Sequence, residues 1–318
     1  MKSIKLLSFV AVFFGFTFLS SAQTLQDVVD AYNSAREYQA VDNWDKVIAA
    51  LERCIELSEQ VDDVEALRIQ GEAIQVLPNS YLQKATKIPK DDHPALLQAL
   101  EEAVSVAQKY NDTRTMERAE REIPQVYAAM GNKFRLEQNF EEAITNFDEA
   151  ILRNPNIAVA YFLKGVCYES MRDEPNMEEN YRLAIEKGRA FGDAQNARQA
   201  QERLRNFYNT AGRRAFNERK WDDAIASFTQ AIEVDDNFFE AYQFLIISYN
   251  GKSSWDNAIA YSAKALQIKE EPRIFYELGV AYYGKKDNAR ACENFRKVKS
   301  GDQVVNARKY VTEILKCN

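Results

Sequence analysis

The sequence is poor in the residues that build reactive sites. Its 318 residues hold one histidine, His93, and four cysteines, and no two cysteines stand at the short spacing of a zinc or iron centre. It has no glycine-rich loop that could cradle a phosphate and no G-x-S-x-G elbow. Seven prolines and eleven glycines leave little room for long loops. Acidic side chains outnumber basic ones 48 to 41, a net charge of −7, which argues against a broad nucleic-acid surface. Carboxylate pairs do occur, such as Glu141-Glu142 and Asp222-Asp223, but at predicted helix starts, where they complement the helix dipole. No catalytic residue, metal site or cofactor is expected.

The only long apolar run is at the N-terminus. Lys2 and Lys5 precede Leu6 to Leu19, a run of 14 residues with five Phe, and Ser20-Ser21-Ala22 follow. This pattern predicts a signal peptide over 1–22, cleaved before Gln23, since the run is short for a membrane span; an uncleaved anchor is the alternative. No cysteine follows the run, which disfavours a lipoprotein signal. The remaining 23–318 would be a soluble chain with 39 basic and 48 acidic residues, net −9, exported to a periplasm or secreted.

What is present is a repeat. In the stretch from Tyr127 to Pro155, Tyr127, Met130, Gly131 and Phe134 lie three or four apart, on one stripe of a helix. Gly131 costs roughly 1 kcal/mol there relative to Ala, so a close helix–helix approach is expected. Gln138-Asn139 breaks the pattern, Ala143, Phe147 and Ala150 mark a second helix, and Pro155 stops it. Equivalents of Gly131 recur at Gly165, Gly212, Ile246 and Gly279, after steps of 34, 47, 34 and 33 residues. Each is followed by its own triplet at the matching positions: Met177/Tyr181/Ala184, Ala224/Phe228/Ala231, Ala258/Ser262/Ala265 and Ala291/Phe295/Val298. Two looser units lie upstream. One has Ala35, Tyr38, Val47, Leu51 and Cys54. The other has Tyr81, Lys84, Leu96, Leu100 and Ala103, with Pro89 and Pro94 at its turn. Lys84 replaces the glycine, so wider helix separation is expected there.

Three steps are long, at 49, 47 and 47 residues. Each carries an Asp followed by a polar amphipathic stretch, read as a capped, lengthened helix and not a flexible linker. Trp44, Trp221 and Trp255, with Phe140, mark the inter-helix turns and are expected to cover them. After the repeats, over 23–301, residues 302–318 read as an amphipathic capping helix.

This pattern resembles the tetratricopeptide repeat (TPR), whose 34-residue unit carries Gly, Tyr, Ala, Phe, Ala and Pro at these positions. The resemblance implies an all-α fold, a right-handed α-solenoid of about seven helix–turn–helix repeats with a C-terminal cap. It also implies a concave groove, lined by first helices, that holds a peptide or protein. The repeat register places Tyr32, Arg36, Tyr81, Asn132, Arg135, Phe162, Glu169, Asn209, Arg213, Gln243, Asn250, Tyr276 and Tyr283 on that lining, with Arg135 and Phe162 the first places to look. A solvated polar face is the plainer reading of the same residues. The clamp by which some TPR proteins hold acidic chaperone tails is missing, since Ala128 and Leu163 stand where its Lys and Asn should be.

Cys54 and Cys167 occupy core positions and are expected to be buried thiols. In an oxidising compartment Cys292 and Cys317 are a candidate disulfide pinning the cap, one that would contribute about 3 kcal/mol in the chain-entropy model. The reading that follows is a non-catalytic scaffold binding a protein or peptide partner in the cell envelope, with no nucleic acid and no membrane insertion, its oligomeric state open. A glycan- or peptidoglycan-binding carrier and an accessory subunit of an envelope enzyme are the alternatives.

Overall fold

The computed structural model describes residues 23–317; the expected signal peptide falls on residues outside these. Fifteen α-helices and no strand occur among the described residues. They form seven hairpins. The first helices are α1 (Leu25–Ala40), α3 (Val64–Thr86), α5 (Thr113–Leu136), α7 (Ala158–Met171), α9 (Ala194–Asn217), α11 (Phe239–Gly251) and α13 (Pro272–Gly284). The second helices are α2 (Trp44–Ser58), α4 (His93–Lys109), α6 (Phe140–Arg153), α8 (Glu174–Phe191), α10 (Trp221–Val234), α12 (Trp255–Ile268) and α14 (Asn288–Lys297). The all-α hairpin architecture read from the repeat is therefore what the chain adopts.

The chain divides into two compact units between Ile123 and Pro124, inside α5. In the first unit α1 packs on α2, α2 on α3, α3 on α4, and α1 also touches α3. Val28, Val47, Leu51, Cys54, Ile69 and Leu77 are its buried core. In the second unit each second helix packs on the next first helix, while α7, α9, α11 and α13 also touch in sequence. Within the second unit these four first helices thus form a continuous row.

The glycine positions explain the spacing inside the hairpins. A Cβ on Gly131 would stand 2.7 Å from Phe147, on Gly165 2.7 Å from Tyr181, on Gly212 2.7 Å from Phe228 and on Gly279 2.7 Å from Phe295. One aromatic ring of each second helix fills the hollow of its glycine. The tryptophans do more than cover their own turns. Trp221 contacts Phe216 edge-on at 5.6 Å and also packs against Gly251 of the following hairpin, as Trp255 packs against Gly284.

The long intervals are lengthened helices of 23, 24 and 24 residues: α3, α5 and α9. An aspartate opens each one. Asp63 accepts from Glu65 N–H at 2.7 Å, Asp112 from Thr115 N–H at 3.1 Å and Asp193 from Asn196 N–H at 3.2 Å, satisfying donors that the helix itself leaves free. Six of the seven hairpin turns place a non-glycine residue in the left-handed region: Asp42, Gln138, Arg172, Arg219, Ser253 and Lys286.

The C-terminal element departs from the expected helix of residues 302–318. Only Val304–Lys309 is α-helical (α15), followed by one π-turn at Tyr310–Ile314. A disulfide joins Cys317 to Cys292 on α14, with Cα atoms 5.8 Å apart. A straight helix would carry Cys317 away along its axis. The wider bonds Leu315 N–H to Tyr310 O and Cys317 N–H to Val311 O, at 2.9 and 2.8 Å, turn the chain back instead. No helix among the described residues is long and apolar enough to cross a membrane.

Candidate functional site

The second unit has a cleft of about 990 Å³ between α7, the start of α8, and α9. One complete stripe of α9 forms its long wall: Gln199, Glu202, Arg203, Asn206, Phe207, Thr210, Ala211 and Arg214. These residues recur at three- and four-residue intervals, so they share a face over roughly four turns, about 22 Å. Phe162 and Glu169 of α7 and Glu174 of α8 stand opposite. The opening arises where the 34-residue step fails. Gly188 near the end of α8 meets Ala197 and Arg182 reaches Tyr208 at 3.4 Å, so α9 packs along α8 on one side while its opposite stripe lines the cleft.

Glu169 organises one wall. Its carboxylate accepts from the Tyr181 hydroxyl at 2.5 Å and from Arg203 Nη1 at 2.8 Å. Burial, reinforced by the Glu169 charge, pushes the Tyr181 hydroxyl well above the usual tyrosine range. Arg203 in turn lies 6.0 Å from the centre of the Phe162 ring. The first unit has a smaller cleft of about 430 Å³ bounded by α2, α3 and α4. There the Tyr81 hydroxyl donates to Glu52 at 2.6 Å, and Lys84, standing in place of glycine, pairs with Asp45 at 3.0 Å.

Of the residues placed on the groove by the repeat register, Phe162 and Glu169 face the large cleft and Tyr81 the small one. Most of the others have partners elsewhere. Asn209 and Asn250 are buried, each 8 % exposed, and Asn250 donates to the carboxylate and the carbonyl of Glu277 at 2.9 and 3.0 Å. Arg135 donates twice to Asn132, at 3.0 and 2.8 Å. Arg213 pairs with Glu240 at 2.8 Å and covers Phe244, and Gln243 donates to Glu271 at 2.9 Å. Tyr276 and Tyr283 meet the Tyr310 ring of the C-terminal segment edge-on, with centroids 6.4 and 5.3 Å away, and Tyr283 stays exposed. In the first unit Tyr32 is half-buried with burial and Glu72 raising its hydroxyl pKa, and Arg36 is exposed.

The stripe on α9 is what the register missed. Aligning Gly212 with Gly165 points Asn209 and Arg213 at the groove, whereas the lengthened helix presents Arg203, Phe207 and Arg214. The signal was in the inserted residues themselves, whose polar side chains recur with helical period. Among the described residues no group of three His, Cys, Asp or Glu side chains could hold a metal ion.

Residues 209–271 match the tetratricopeptide repeat family, and the hairpins on either side of them are built alike. No curated protein matches the sequence. Among solved structures, the chain is similar to a TPR protein of Parabacteroides merdae, with 12 % identity over 92 % of this chain and 100 % of that one, TM-score 0.30. It is also similar to the TPR2AB domain of yeast Sti1, solved in complex with pHSP90, with 14 % identity over 92 % and 96 %, TM-score 0.32. A third is YrrB, described as a TPR protein with an unusual peptide-binding site, with 18 % identity over 58 % and 91 %, TM-score 0.32. The family match and the helix pairing support a TPR protein, a fold used for protein–protein interaction.

Proposed function

We propose that this chain is a non-catalytic scaffold that is exported by its N-terminal leader, works in the cell envelope, and holds an extended segment of a partner protein in the α7–α9 cleft. The cleft-lining stripe of α9 carries the reading. It is a helix face about 22 Å long that bears an aromatic ring, amides and charges and lines an open cleft among the described residues. Hairpins of this kind give a rigid support, and an open face on a rigid support suits recognition, because little order has to be imposed on binding.

Photo-crosslinking tests it. A benzoyl-phenylalanine at Thr210, in the cleft, and another at Lys264, exposed on α12, are introduced separately into the full chain in its native cell. The expected result is a discrete crosslinked protein from Thr210 alone, recovered in the envelope fraction, on a chain whose N-terminus is Gln23. Equal crosslinking from both positions, or a cytosolic chain retaining Met1, overturns the reading.

A further inference from the structure

We propose that the α7–α9 cleft selects cationic partner segments: an extended stretch of about seven residues carrying Lys or Arg next to an apolar side chain. This rests on the scaffold reading above and adds the chemistry of the occupant. An extended chain rises about 3.3 Å per residue, so about seven residues cover the 22 Å from Gln199 to Arg214.

The charge lining the cleft is not balanced. Glu169 is held by Tyr181 and Arg203, at 2.5 and 2.8 Å, so this acid and this base neutralise each other. The other cation on the lining is Arg214; Glu218, just past the end of α9, pairs with Lys220 at 2.8 Å and feels the Arg214 charge only weakly. Glu174 and Glu202 also line the cleft. Both are exposed and have no hydrogen-bond or ion-pair partner among the described residues. Beyond the Glu169–Arg203 pair the lining therefore sets two carboxylates against one guanidinium, a net negative charge, so an incoming Lys or Arg is favoured over an acidic segment. Phe207, half-buried on the same wall, offers apolar contact for a neighbouring side chain.

This polarity is local. Residues 124–318 carry 28 acidic and 28 basic side chains, whereas residues 23–123 carry 20 and 11. Any general attraction of cations belongs to the first unit, and the test has to separate the two sources.

The experiment measures anisotropy of labelled heptapeptides alternating Lys-Leu, Gln-Leu or Glu-Leu on the full mature chain. The Lys-Leu peptide is expected to bind about ten-fold more tightly than Glu-Leu, as two exposed ion pairs allow, with the difference shrinking as salt rises. The double variant Glu174→Gln/Glu202→Gln is expected to lose the preference and keep binding of Gln-Leu. Equal affinities, a preference for Glu-Leu, or a Lys preference that survives in the double variant overturns the inference. The Thr210 crosslink separates its fate from that of the scaffold reading. A crosslinked partner segment without Lys or Arg sinks the charge selectivity and leaves the scaffold standing, and absence of any Thr210-specific crosslink sinks both.

Discussion

The ring of Phe147 lies against Gly131 so closely that a Cβ there would come within 2.7 Å of the ring and 2.9 Å of the Ala143 carbonyl. Phe147 is fully buried and cannot swing away. Gly131→Ala gains up to about 1 kcal/mol of helix propensity but overpacks the hairpin by about 1–3 kcal/mol, so a net loss is expected. Gly71, in the middle of α3, has nothing within 4 Å of its would-be Cβ. Gly71→Ala should therefore stabilise by about 0.5–1 kcal/mol. Chemical denaturation of the two variants tests the contrast, and the same sign for both would refute it. Phe147→Leu in the Gly131→Ala background should recover part of the loss, because neighbouring sites do not add.

That contact also shows what the sequence made legible. A glycine in phase with an aromatic and two alanines is a strong local signal, since only close packing explains it, and it located the hairpins. The α9 stripe was less legible. Which face of a helix stays open depends on how far the next hairpin slides along its neighbour, and the repeat register assumes no slide. Asn209 and Arg213 were placed by that assumption, and the added turns of α9 put Arg203 and Phe207 in the cleft instead. The C-terminal element differs for another reason: the cysteine pair was legible, but apolar periodicity does not distinguish a full α-helix from a short one that ends in a π-turn.

Arg219 holds a left-handed backbone, φ 58°, between α9 and α10. The conformation costs a residue with a Cβ about 1–2 kcal/mol, and Asn tolerates it better than Arg. Arg219 is exposed, so little contact is lost on replacement. Arg219→Asn is expected to raise stability by about 0.5 kcal/mol, read as a higher denaturation midpoint with an unchanged slope. A lower midpoint would count against strain at this turn.

Glu277 is 8 % exposed on α13. Burial pushes its carboxyl above the ordinary 4.5, against the opposing pull of the Asn250 amide and the Arg273 charge. A raised folded-state pKa means that the native chain holds the proton more tightly than the unfolded one. Ionisation then costs stability as pH climbs from the ordinary carboxylate range, and the cost is fully present only above the raised value. Glu277→Gln keeps an acceptor for the Asn250 amide and removes the charge. Its thermal midpoint should exceed that of the natural chain at neutral pH, with the advantage disappearing below about pH 4. A Gln variant that is less stable at neutral pH would show that Asn250 and Arg273 outweigh burial.

The C-terminal segment is the element most dependent on one bond. Its α-helix has only six residues, Val305 is 77 % exposed, and its main non-covalent anchor is Tyr310 stacked on Phe295 at 4.4 Å. Such a stack contributes about 0.5–1.5 kcal/mol beyond its buried area, against about 3 kcal/mol for a disulfide closing a loop of 25 residues. Reduction by a dithiol should free this segment before any hairpin opens. Hydrogen exchange is expected to accelerate in residues 304–317 and to stay unchanged in α7 to α12. Alkylation of the native chain after reduction should modify two cysteines, Cys292 and Cys317, because Cys54 and Cys167 are fully buried and burial pushes the Cys167 thiol up to about 11. Unchanged exchange in 304–317 with both thiols alkylated would mean that the aromatic contacts hold the segment without the bond.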